Sequence, residues 1–234
     1  MNETGVVAAL AAEARTLGVP IRHRAGLSAL RDGTLVGVSG IGCAGAETTA
    51  RALIDAGAGA LVSFGMAGGL DPRLSAGAIC VPSEVISADG ARFITAQAWA
   101  ERVSASAGGS TAGGTLLTSA HAIATIEDKA RAYLETGAGL VDMESLGVAR
   151  IAAMHGVPFI AVRVIVDTAA DVLPAAVAAA TRDGRVRIGR FIRALSRSPA
   201  ELGAILRLAQ RYRAATRSLT AVARSGALAK SAFA

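Results

Sequence analysis

Apolar residues fall in short blocks separated by glycine-rich or polar breaks, and the blocks alternate between strand-like runs and helical periodicity. Residues 5–10 read as a first strand, and 11–17 open a helix directly behind it. Residues 34–39 form a second strand, closed by Gly40 and Gly42, ahead of a helix over 44–56. A buried strand at 60–64 leads into a glycine-rich turn at 65–69, and 78–83 is a strand with Pro82 near its end. Residues 87–114 are irregular and polar, the composition of an active-site loop or lid. The pattern then predicts a strand at 115–118, a helix at 123–134, a strand at 140–142, a helix at 143–155 and a strand at 158–166. After a turn at 167–174 the chain reads as helical. Pro199 separates a helix over 175–196 from one over 201–222, where Leu208, Tyr212, Ala215, Leu219 and Val222 form a stripe. Strands alternating with helices predict a three-layer α/β/α domain around a mainly parallel or mixed sheet.

Composition narrows this picture. At 234 residues one domain is expected, with a core of useful size. Hydrophobic residues make up 52% and aromatic residues only 3%, which excludes disorder and leaves no stacking platform for nucleic acid. Cys43 and Cys80 are too few for a metal site and read as reduced core thiols of a cytosolic protein. The N-terminus lacks a basic region, and its apolar run breaks at Glu13, against a signal peptide. The uncharged run 103–120 is rich in Ser, Thr and Gly, so it does not read as a membrane span. Charge is unevenly placed. Residues 1–181 carry 12 Lys/Arg against 16 Asp/Glu, whereas the last 53 residues carry 12 against only Asp183 and Glu201.

The chemistry concentrates at two acidic corners. Asp142-Met143-Glu144 ends one buried strand and Asp167 ends the next, at the strand ends where open α/β sheets place their ligand crevice. Buried carboxylates are costly unless paired, so the fold has no use for them there. The plainer alternatives are a turn or helix cap for Asp167, a first-turn acid for Glu144 and core filler for Met143. Ser39-Gly40-Ile41-Gly42 could offer backbone N–H groups to an anion, or be simply a strand-to-helix turn.

VDMES at 141–145 followed by RVIVD at 163–167 resembles the nucleoside phosphorylase and nucleosidase superfamily, particularly the methylthioadenosine/adenosylhomocysteine nucleosidases. VVAALAAEARTLG at 6–18, and SGIGCAGAE at 39–47 with VSFGMAGGLDPRLSAGAICVP at 62–82, match in the same order. The resemblance implies a nucleoside phosphorylase-like catalytic domain over 1–198 and a basic amphipathic helical extension over 199–234. It implies that Asp167 protonates a departing purine and that Met143 and Glu144 hold the ribose. Met66 and Ile123 complete the substrate-binding set, and Arg163 pairs with a carboxylate. Glu13 matches the residue that activates water in the nucleosidases, and Ser39, Gly40 and Gly42 mark the phosphate or water site. No cofactor or metal is implied, with phosphate as the candidate co-substrate. A homodimer is implied as well.

The chain also departs from the pattern. Met66 stands where the nucleosidases have Ser, and no aromatic residue falls near Ala122 to cover the purine, although His121 is close. With its extended tail, the chain looks most like the hopanoid-associated phosphorylases, which implies adenine release from adenosylhopane. Its partner would then be a nucleoside lipid, with the C-terminal helix on the inner face of the membrane. The alternatives are a methylthioadenosine or adenosylhomocysteine nucleosidase and a non-catalytic membrane-surface binding protein. Nucleic acid is not an expected partner.

Overall fold

Strand alternation sets the layers. In β1 (Glu3–Ala8) Val6 and Ala8 enter one hydrophobic cluster and Val7 the other. In β11 (Phe159–Asp167) Ile160, Val162 and Val164 face the first cluster, and Phe159, Ala161 and Ile165 the second. The long β4 (Ala58–Gly69) between them divides likewise, with Val62 and Phe64 on one side and Leu61 and Ala67 on the other. Strands apolar on both faces need helices on both sides. The computed structural model describes residues 3–19, 26–107, 111–174 and 202–229.

Among the described residues the sheet has eleven strands. β3 (Leu35–Val38), β1, β4 and β11 run parallel, with β2 (Ser28–Ala29) antiparallel at the β3 edge. β10 (Leu140–Asp142) joins the end of β4 antiparallel and continues to β9 (Thr115–Thr118), β6 (Glu84–Ser87) and β7 (Arg92–Ile94). Two short strands, β5 (Ile79–Cys80) and β8 (Thr111–Ala112), extend the sheet from β11. One face is covered by α1 (Ala11–Thr16), α3 (Gln97–Ser106) and α6 (Leu202–Arg224), through Ala14, Trp99, Val103, Leu219 and Val222. The other is covered by α2 (Cys43–Asp55) and α5 (Ser145–Met154). α4 (Ile126–Thr136), capped by Thr125, lies beside the smaller cluster of Leu70, Ile86, Leu117 and Val141. The architecture is the expected three-layer α/β/α fold with a mixed sheet.

Two expectations change. The glycine-rich segment 65–69 is not a turn but the second half of β4. Up to Phe64 the strand pairs with β1, and at Gly68 and Gly69 it pairs with β10, while β11 follows it throughout. Residues without side chains let one strand serve two neighbours in succession. The segment 87–114 is not irregular, because it contains β7, α3 and β8. Its Ala, Ser and Gly content hid a helix whose Trp99, Ala100 and Val103 lie on the core.

The apolar stripe of the C-terminal helix, which in the sequence suits a lipid surface, a partner or the chain's own domain alike, packs on the domain: Ala215, Leu219 and Val222 are fully buried in the cluster they share with the central strands, and α6 lies against β11 and α1. Beyond it, the Trp99 indole donates to the carbonyl of Ala227 (3.1 Å), fastening the following turn to α3. The helix predicted over 175–196 lies outside the described residues.

Candidate active site

Three strand ends deliver four carboxylates. After β1 the chain turns at Leu10 into α1, which puts Glu13 on the first helical turn. Its Oε2 accepts the Leu10 N–H (2.9 Å) and its Oε1 the Met66 N–H (2.9 Å). Gly65 makes the approach possible: a Cβ there would lie 2.6 Å from Oε1. Burial pushes the Glu13 carboxyl above its usual range, opposed by the Arg163 charge and the backbone donors.

At the end of β10, Asp142 is locked from every side. Arg163 donates to its Oδ2 through Nε (2.9 Å) and Nη2 (2.7 Å), Ser145 donates its N–H (3.1 Å), and the Thr118 hydroxyl binds Oδ1 (2.7 Å). The carboxylate expected to partner Arg163 is therefore Asp142, and the same guanidinium reaches Ser63 and Ser145. Glu144 follows at the corner before α5. Its Oε1 accepts the Gly42 N–H (2.8 Å) and its Oε2 the Met143 N–H (3.3 Å). Burial, then the neighbouring Asp142, pushes the Glu144 carboxyl up to about 8.

Asp167 ends β11 and meets a buried lysine. Lys129 Nζ lies 2.5 Å from Oδ2 and also donates to the carbonyls of Thr168 (2.7 Å) and Asp171 (3.0 Å). Burial raises the Asp167 carboxyl, and Lys129 opposes the rise. Asp171 accepts the Thr168 N–H (2.8 Å) and is ion-paired with Arg211 of α6.

These elements enclose a cavity of about 250 Å³. Glu13, Met66, Ile123, Met143, Glu144 and Asp167 all line it, so the six candidates at the acid, nucleophile and substrate positions converge. Of the 39–42 turn only Ile41 lines the cavity. The Ser39 hydroxyl is turned to the Gly40 carbonyl (2.7 Å), and the Gly42 N–H is occupied by Glu144. Positive φ at Gly40 (77°) and Gly42 (104°) explains both glycines as turn residues.

His121 and Ala122 lie on the wall, and among the described residues Tyr212 of α6 brings a phenol ring to it, with Leu208 one turn before it. Tyr212 and Leu208 were legible only as members of an apolar stripe, because nothing local ties α6 to the cavity. Lys129 belongs to no motif either, although it shares the inward face of α4 with Ala132 and Tyr133 at i+3 and i+4. A lysine on an inward helical stripe is the available signal.

A family model described as Phosphorylase superfamily matches residues 7–197. The chain belongs to the phosphorylase superfamily. As a superfamily member it is an enzyme of the class that cleaves nucleoside N-glycosyl bonds. The 5′-methylthioadenosine/S-adenosylhomocysteine nucleosidase of Neisseria meningitidis, in complex with methylthio-immucillin-A, is similar with a TM-score of 0.69 at 19% identity, over 96% of this chain and 98% of that one. The same enzyme from Helicobacter pylori, with butyl-thio-DADMe-Immucillin-A, gives 0.66 at 18% identity, over 86% of this chain and 99% of that one. Futalosine hydrolase of Helicobacter pylori gives 0.64 at 18% identity, over 83% and 97%. At such identities the superfamily member shares their fold. No curated protein matches the chain.

Proposed function

We propose that the enzyme hydrolyses the N-glycosidic bond of an adenosine derivative with an apolar 5′ substituent, adenosylhopane being the substrate that its resemblance to hopanoid-associated phosphorylases suggests. The reading rests on one observation: Glu13, held by two backbone N–H groups, lines the same small cavity as Glu144 and Asp167. Glu144 accepts hydrogen bonds from the ribose hydroxyls, each contributing about 0.5–1.5 kcal/mol while the carboxyl is neutral and more once it is ionised. Asp167 gives its proton to the base as the electron pair of the C1′–N bond moves onto it. Glu13 takes a proton from the water whose oxygen bonds to C1′. A positioned acid or base of this kind contributes about 10²–10⁴-fold in rate.

Water is favoured over phosphate by charge and by occupancy. Glu13, Asp142 and Glu144 are all buried, with Arg163 the buried guanidinium among them. The Gly42 and Met66 N–H groups that could cradle an anion already donate to Glu144 and Glu13. A phosphate would have to displace carboxylates.

The apolar substituent is suggested by Leu10, Ile41, Val166, Leu173 and Leu208 on the cavity wall. A volume of about 250 Å³ falls just below the usual range of small-ligand pockets, which begins near about 300 Å³, so the bulk of a lipid would remain outside. That size favours the second reading, a methylthioadenosine or adenosylhomocysteine nucleosidase. A non-catalytic membrane binder is disfavoured, because the apolar stripe it would insert is consumed in the core. No helix among the described residues is long and apolar enough to cross a membrane. Measuring adenine release from detergent-dispersed adenosylhopane beside methylthioadenosine tests the reading. Faster release from the lipid supports it; release from methylthioadenosine alone establishes the second reading, and release from neither overturns both.

A further inference from the structure

Nearly every cation of this chain is an arginine; Lys129 and Lys230 are its only lysines. Lys129 is completely buried, and three acceptors surround its ammonium: Asp167 Oδ2, the Thr168 carbonyl and the Asp171 carbonyl. Three donors on a compact charge suit that arrangement, whereas a planar guanidinium does not. Stability alone does not call for the pair, since apolar side chains often replace a buried ion pair without loss. Its position does suggest a use, because Asp167 is on the cavity wall and Lys129 stands behind it.

Resting on the proposed glycosidic cleavage, we infer that Lys129 is the positioning residue of the proton donor: it fixes Asp167 Oδ2 and stabilises the carboxylate left when Asp167 protonates the departing base. In that step the Asp167 O–H bond breaks and its proton forms a new bond to a base nitrogen. The C1′–N electron pair goes to the base. The negative charge left on Asp167 then faces an ammonium 2.5 Å away rather than a dry wall. Without the cation, Asp167 holds its proton more tightly and transfers it less readily.

Other charges facing Asp167 set the background. Arg211 approaches from α6, while Asp171 belongs to the same loop and already pairs with Arg211. Across the cavity stand Glu13 from α1, Asp142 and Glu144 from the β10 corner, His121 before α4 and Tyr212 from α6. None of these hydrogen-bonds Asp167 among the described residues, so Lys129 is the direct control.

The test is the pH profile of kcat for base release by the full-length enzyme and its Lys129→Met variant. A donor that must be protonated loses activity as pH rises through its pKa. Removing the cation should move that alkaline limb upward by about 1–3 pH units, the usual effect of a neighbouring opposite charge. The maximal kcat should fall by about 10–100-fold, part of what a positioned acid supplies, with KM little changed. Lys129→Gln, neutral but still a donor, carries the same prediction. A limb that stays in place in either folded variant overturns the inference, and so does failure of both variants to fold, which would make Lys129 structural. If Asp167→Asn abolishes release while the Lys129 variants keep the native profile, this inference alone fails. If the unaltered enzyme releases no base, the functional reading fails first.

Discussion

Burial and the Asp142 carboxylate together push the Glu144 carboxyl from its ordinary value of 4.5 up to about 8. A raised folded pKa means that the folded protein binds the proton more tightly than the unfolded chain. The stability contributed is full below about pH 4.5 and is lost as pH rises through about 8. Glu13 and Asp167 are raised as well and add the same sign. The unliganded protein should therefore melt at progressively lower temperature between these limits, and Glu144→Gln should flatten the slope. A melting temperature indifferent to pH in the unaltered protein would contradict this picture of the corner. Paired carboxylates such as Asp71 and Glu84 are lowered by their Arg73 and Thr115 partners, so their effect lies at more acid pH. At this scale the acidic corners were legible in the sequence because folding has no need of carboxylates at strand ends. Lys129 was not, since a lone lysine in a helix ordinarily points to solvent.

α6 changes the account most at the level of elements. Its stripe is legible in the sequence, but a stripe has no address, and the same residues suit a membrane, a partner or the chain's own sheet. Here they fill the sheet's outer face, which leaves Arg207, Arg213 and Arg217 exposed and brings Leu208 and Tyr212 to the cavity. Leu219→Ala should destabilise the protein by about 2–5 kcal/mol, measured by denaturant unfolding. Truncation before α6 should abolish activity on small and lipid nucleosides alike, where a lipid-binding appendage would spare the small ones. A Leu219→Ala loss below about 1 kcal/mol would detach the helix from the core. The alternation in β1, β4 and β11 made the parallel centre legible. β4 ran past its predicted end because glycines that usually break a strand here allow a change of neighbour.

Charge is separated along the chain. Glu13, Asp142, Glu144 and Asp167 line the cavity, whereas half of the basic residues fall in the last 53 positions. With the Gly42 and Met66 N–H groups already occupied, a phosphate dianion should find no free backbone donors there, while a neutral nucleoside and water are unaffected. Order of motifs made the superfamily legible in the sequence. The nucleophile was not, because whether the Gly42 and Met66 N–H groups are free or occupied depends on residues distant in the chain. The most direct measurement is adenine release from the preferred nucleoside with and without inorganic phosphate, with the sugar product weighed by mass spectrometry. We predict the same rate in both conditions and a free ribosyl product. A phosphate-dependent rate yielding a phosphoribosyl product would contradict the assignment of water to Glu13.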